Sequence, residues 1–238
     1  MIAALILLAA SAQAADLHVA AAANLSNIVP ELSGAFEKET HIHLVPSFGA
    51  TAQLTQQIEN GAPFDVFLSA DTEHVDQLIR GHFILPDSRA IYARGQLVVW
   101  APRRPDIRSL DDLTKSDIRA IGVAKPELAP YGEAAVETLK NADLWGQVEK
   151  KIVYAPSIAI AKQFADTGNT DASFTALALT IGQNGSRFTV EEKLHKPINQ
   201  ALGIVAASRE LKNARAFAAF LSGATAREIL KRFGYIQP

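Results

Sequence analysis

Apolar and polar positions along the chain follow two alternating periods. Short runs rich in β-formers are each followed by a segment whose apolar residues recur about every 3.6 positions, and this alternation predicts an α/β architecture with mainly parallel sheets. The first unit reads as a strand over Leu17 to Ala22, then a helix with Leu25, Ile28, Val29, Leu32 and Phe36 on one face and Pro30 confined to its first turn. A second unit runs from a strand over Ile42 to Phe48 into a helix with Leu54 and Ile58 inward, ended by Gly61 and Pro63. The apolar strand Val66 to Leu68 leads to Asp71, a competent cap for a helix carrying Val75, Leu78 and Ile79 and stopping at Gly81.

The same rhythm continues. Strands are expected at Leu97 to Ala101, Ala120 to Ala124, Ile152 to Ala155, Phe174 to Leu179 and Ala201 to Ala207. Between them, Ser109 and Asp112 have capping-box spacing before a short helix, Glu133 to Leu139 reads as a helix, and another ends at Gly168. Ala214 to Phe233 reads as one or two C-terminal helices.

Four times a strand passes through a turn of small residues into a helix. The turns read Ala-Ala-Ala-Asn-Leu-Ser at 21 to 26, Ser-Phe-Gly-Ala-Thr-Ala at 47 to 52, Ala-Pro-Tyr-Gly at 129 to 132 and Ala-Pro-Ser-Ile-Ala-Ile at 155 to 160. In open α/β sheets such turns lie at the carboxyl edge, where ligands bind. Capping is the ordinary role of Gly, Ser and Thr there. Yet helix N-termini also present unpaired N–H groups and the positive end of a dipole, so converging turns can hold an anion. None of the four contains Lys, Arg or His, and none contains Asp or Glu, with Glu133 one residue beyond the third. An anion held here is neutralised by dipoles and neutral donors. The lack of an acceptor for a ligand proton favours a fully ionised oxyanion such as sulfate, molybdate or tungstate over phosphate.

Composition narrows the setting. With 238 residues, a net charge of −2 and no long linker, the chain makes either one large domain or two small lobes. Ile2 to Leu8 form an apolar run too short to span a membrane, followed by a small-residue stretch to Ala15 that signal peptidase reads. Export with cleavage near Ala14 or Ala15 is expected. Zero cysteines exclude disulfides, a lipid-anchored cysteine and thiolate metal sites. The small charge offers no surface for nucleic acid, and Arg103, Arg104 and Arg108 beside Pro102 and Pro105 read as a solvated loop.

Other chemistries find less support. His41 and His43 would share a strand face, but no third metal ligand is near. The four tyrosines are scattered, which disfavours an iron carrier. No nucleophile elbow, Walker loop or dinucleotide fingerprint is present, and capping and turn roles explain Asp65 and Asp71 better than an acid/base pair, so a secreted hydrolase is the weakest reading.

Taken together, the turns and their neighbours resemble the molybdate-binding family of periplasmic binding proteins. The matching stretches are residues 21–27, 56–71 (Gln-Gln-Ile-Glu-Asn-Gly-Ala-Pro-Phe-Asp-Val-Phe-Leu-Ser-Ala-Asp), 128–135, 167–174, 195–200 and 233–235 (Phe-Gly-Tyr). The resemblance implies a type II periplasmic binding protein fold, with two α/β lobes joined by two crossing strands and the ligand in the cleft between them. It implies a signal peptide over 1–15, one lobe from 16–95 and 202–238, and a second from 96–201, with crossings near Gln96 to Ala101 and Ala201 to Ala207. Carried over by position, Asn24 donates by side chain and backbone, Thr51 by hydroxyl and backbone, and Tyr131 and Ile160 by backbone N–H, so that their side chains matter less. These four would hold the molybdenum, as molybdate, or tungstate. Some members bind with a Tyr where this chain has Ala176, which cannot donate. The implied function is the substrate-binding component of an ABC importer, a non-enzymatic periplasmic monomer without a cofactor, whose partners are the oxyanion and a membrane permease. A sulfate carrier of the same fold is the alternative.

Overall fold

The chain builds two five-stranded sheets of matching topology, seen in a computed structural model that describes residues 16–238. The expected signal segment lies outside the described residues. In the first sheet the order is β2 (His43–Gly49), β1 (Asp16–Ala22), β3 (Val66–Ser69), β10 (Ile198–Ile204), β4 (Ala90–Gly95). In the second it is β7 (Ile152–Ala155), β6 (Ile121–Ala124), β8 (Ala172–Ala176), β5 (Leu97–Ala101), β9 (Ser186–Thr189). β1 runs parallel to β2 and β3, as β6 does to β7 and β8. The fourth strand of each, β10 and β5, is antiparallel to both neighbours. Each is the strand formed directly after the chain passes from the other sheet.

The helices form where the apolar period predicts them. Val29, Leu32 and Phe36 are buried on α1 (Val29–Thr40), Leu54 and Ile58 on α2 (Thr51–Glu59), and Val75 and Leu78 on α3 (Glu73–Arg80). In the second lobe α4 (Pro130–Asn141), the single turn α5 (Trp145–Val148) and α6 (Ile158–Thr167) pack on the sheet, and α6 ends at Gly168 in the left-handed conformation that glycine adopts freely. The C-terminal pair, α7 (Leu211–Leu221) and α8 (Ala224–Arg232), returns to the first lobe, where Phe217 meets Phe36 edge-on with ring centroids 5.1 Å apart. Each such fully buried side chain contributes about 1.5–3 kcal/mol.

Several boundaries differ from expectation. Leu25 closes a 3-10 turn over Ala23–Leu25 ahead of α1, and Pro30 sits at the second helical position, where no intrahelical N–H is required. The strand expected over 174–179 stops at Ala176, because Leu177–Leu179 turn away as a 3-10 segment. The return strand begins earlier than the residue 201 expected for it: β10 pairs with β4 from Ile198 opposite Gly95. Asp112 accepts from the Ser109 N–H at 2.9 Å as a capping box would, but the turn it organises, Asp111–Thr114, is 3-10. His41 is the left-handed C-cap of α1 with φ 61°, so it does not share a strand face with His43, which pairs with Glu37 at 3.3 Å. No group of three or more His, Cys, Asp or Glu is placed to hold a metal among the described residues.

Candidate functional site

All four small-residue turns meet at the carboxyl ends of β1, β2, β6 and β7, where the lobes face one another. They enclose a small cavity of about 10 Å3 lined by Asn24, Gly49, Thr51, Ala129, Tyr131 and Ile158, among other small residues. That is close to the least space a single water needs, about 10–15 Å3, so the turns close tightly on one another here. None of its lining residues carries a charge. A larger depression of about 620 Å3 opens elsewhere on the first lobe, lined by Asp16, Asp65 and Glu210 together with Arg209, His18 and His82, and no strand-to-helix turn of the four opens into it.

The donors come from helix starts. Ala50 is the N-cap of α2, so Thr51 is its first residue. The Thr51 hydroxyl oxygen accepts a long bond from the Ala70 N–H at 3.4 Å, which leaves the hydroxyl proton to donate. On α4, Pro130 occupies the first position and brings no N–H. The Gly132 and Glu133 N–H groups both reach the Ala129 carbonyl, at 2.8 and 3.1 Å, so the Tyr131 N–H is the first donor this helix offers. Gly132 is required here because a Cβ would lie 2.1 Å from the Ala124 carbonyl oxygen, where α4 presses on the end of β6.

The fourth turn departs from the expected pattern. Ser157 caps α6, and its hydroxyl accepts from the Ile160 N–H at 3.3 Å. Ile158, not Ile160, is the residue of this turn that lines the cavity. The structure therefore brings Asn24, Thr51 and Tyr131 together and sets Ile160 one step back, with its N–H directed to its own cap. Ala176, fully buried in the second lobe's core, offers no side-chain donor.

Asn24 is almost wholly buried, and its amide is engaged inward. Its Nδ2 donates to Gln200 Oε1 at 2.9 Å and to the Tyr235 hydroxyl at 2.8 Å, and Tyr235 donates back to the Asn24 carbonyl at 3.3 Å. Gln200 Nε2 in turn donates to the Tyr131 hydroxyl at 3.4 Å. Gln200 and Tyr235 had no assigned role in the sequence; the available signal was a Gln inside the apolar strand Ile198–Ile204. The Tyr131 ring is buried, and its hydroxyl belongs to a network reaching the other lobe. The tyrosines, scattered in sequence, converge: burial pushes the phenols of Tyr92, Tyr131 and Tyr235 upward, and the proximity of Tyr235 adds to the shift in the other two. All three stay protonated at neutral pH, which suits hydrogen bonding.

The lobes are drawn together. Besides the Gln200–Tyr131 contact, the Ala52 N–H donates to the Leu128 carbonyl at 3.1 Å and Asn27 Nδ2 to the Leu179 carbonyl at 3.3 Å. Neither Asp65 nor Asp71 reaches the cavity. Asp65 ties the His18 N–H (2.8 Å) to the Ser208 hydroxyl (2.6 Å), and Asp71 accepts from the His74 N–H (3.1 Å) at the start of α3.

Two matched lobes, two crossings and an uncharged interlobe cavity define a clamp that captures a small solute by closing on it. The chain belongs to the bacterial extracellular solute-binding proteins, whose family pattern matches residues 17–236. It is 37% identical over 237 residues to the molybdate-binding protein ModA of Azotobacter vinelandii, covering 96% of this chain and 93% of that one. It is 34% identical over 230 residues to ModA of Rhodobacter capsulatus, covering 96% and 91%. The solved periplasmic molybdate-binding protein of Azotobacter vinelandii superposes with a TM-score of 0.88 at 33% identity, covering 93% of this chain and 99% of that structure.

Proposed function

We propose that this chain is the substrate-binding component of an ABC importer, capturing molybdate, and tungstate with it, in the periplasm and delivering it to a membrane permease. The observation that carries the reading is the cavity itself: it lies between the lobes, lacks any charged lining residue, and is faced by Asn24, the Thr51 hydroxyl and the Tyr131 N–H. Such a site stabilises a fully ionised oxyanion through preoriented dipoles. An anion touching both lobes binds the closed form better than the open one, so closure reports occupancy to the permease. The names of the relatives at 37% and 34% identity direct the choice of ion to molybdate. In this reading the protein is exported by removal of the segment over residues 1–15, acts as a monomer, and performs no catalysis.

Calorimetric titration of the mature protein with molybdate, tungstate, sulfate and phosphate tests this. Tight binding of molybdate and tungstate with weak sulfate and no phosphate is expected. Tight sulfate binding without a molybdate signal makes it a sulfate carrier, and no oxyanion binding at all removes the site.

A further inference from the structure

Asn24 Oδ1 is buried without a hydrogen-bond partner, although the residue lines the cavity. Such an orphaned acceptor costs free energy, and an acceptor is the wrong atom to offer an oxyanion. Both hydrogens of Nδ2 are turned inward, to Gln200 and Tyr235. Exchanging the nitrogen and oxygen of the two amides leaves every heavy-atom position unchanged and cures the mismatch. The Tyr131 hydroxyl then donates to Gln200 Oε1, Gln200 Nε2 donates to Asn24 Oδ1, the Tyr235 hydroxyl donates to the same oxygen, and Asn24 Nδ2 becomes a donor at the position of the orphan.

Building on the oxyanion reading above, we propose that Gln200, Tyr235 and Tyr131 are positioning residues: when the anion enters they hold the Asn24 amide with its nitrogen toward the ligand. The relay spans the clamp. Asn24 and Tyr235 belong to the first lobe, Gln200 lies on the return strand β10, and Tyr131 is on α4 of the second. Its place in the hinge is built in, because a Cβ on Gly95 would lie 1.9 Å from the Tyr131 hydroxyl and 2.9 Å from Gln200 Nε2. Gly95 is the last residue of β4 before the crossing, and it pairs with Ile198 at the start of the return strand. The tyrosine hydroxyl reaches Gln200 only where the two lobes meet, so the orientation of Asn24 is coupled to closure. Tyr235 has the same task from the other side, and it gives the Phe-Gly-Tyr segment at 233–235 a role in binding.

The experiment measures molybdate affinity and dissociation rate for the wild-type mature protein and for Tyr131→Phe, Tyr235→Phe, Gln200→Leu, Asn24→Ala and the Asn24→Ala/Gln200→Leu pair. Each Phe variant keeps its ring and should bind about three- to tenfold more weakly with faster release, the loss expected for one hydrogen bond. Gln200→Leu should weaken binding in the wild-type background but have almost no further effect once Asn24 is Ala, because it acts through that amide. The Asn24 side-chain amide resonances should shift on titration in the wild type and not in Gln200→Leu. Additive losses in the double variant, or Phe variants that bind as tightly as wild type, overturn the proposal while leaving the oxyanion site standing. Failure of the wild-type protein to bind any oxyanion overturns both, and only that outcome does.

Discussion

Ala52 on the first lobe gives its backbone N–H to the carbonyl of Leu128 on the second, across 3.1 Å. The donor is the second N–H of α2, one of the groups that a helix leaves without an internal partner, so a contact that would otherwise go to water joins the lobes. Ala52→Pro removes this donor alone. Pro30 already occupies the equivalent second position of α1, so the ring fits a first turn. The variant should bind molybdate more weakly by about 0.5–1.5 kcal/mol, with the change in the dissociation rate and a melting temperature near that of wild type. Stopped-flow release with a competing anion measures it; unchanged release would mean that the bond does not contribute to closure.

Thr51→Ala deletes the hydroxyl whose proton is left to the cavity. A hydrogen bond to a charged partner is worth about 1–3 kcal/mol, and affinity should fall by that amount. Thr51→Ser should keep most of the binding, since it retains the hydroxyl. Equal losses in both variants, read by calorimetry, would assign the effect to the methyl group's packing and not to donation.

Much of this was legible in sequence, for identifiable reasons. The strand-to-helix turns at Thr51 and Tyr131 were readable because the 3.6-residue period restarts there, and both residues line the cavity. The strands β4 and β9 were not: Ala90–Gly95 and Ser186–Thr189 are short, mix polar with apolar residues, and owe their conformation to pairing with β10 and β5. For the fourth turn, sequence shows that Ser157 can cap but not that its hydroxyl takes the Ile160 N–H. The inner network escaped notice for a related reason. Asn24, Gln200 and Tyr235 meet from positions far apart in the chain, and only the folded hinge brings them into contact.

Ser157→Ala separates capping from binding on the fourth turn. Its hydroxyl accepts the Ile160 N–H at 3.3 Å, and losing an N-cap of this kind costs about 0.5–2 kcal/mol of stability. Urea denaturation of the free protein should show that loss. The freed Ile160 N–H then becomes available, so molybdate affinity should hold steady or rise. A fall in affinity larger than the fall in stability would place the Ser157 hydroxyl itself on the anion.

His74 supplies a pH dependence whose sign can be worked out. Burial opposes its protonation, yet the hydrogen bond to Asp71 at 2.7 Å and the negative fields of Asp71, Glu73 and Glu133 outweigh that, and its pKa is raised from 6.5. A group with a raised native pKa binds protons more readily folded than unfolded, so it stabilises the fold below its unfolded value. The contribution is complete below about pH 6.5 and disappears as the pH climbs through the raised native value. Denaturant midpoints for wild type and His74→Gln should therefore differ most below about pH 6.5 and converge as the pH climbs past the raised native value. Glu133 lies on α4 of the other lobe, so part of the shift exists only while the clamp is closed, but it is the smallest of the contributions. Molybdate affinity should accordingly rise only slightly on acidification from pH 8 to pH 6, and that slope should vanish in His74→Gln. A wild-type midpoint that gains on the variant as pH increases would reverse the sign and exclude the Asp71–His74 pair as its source.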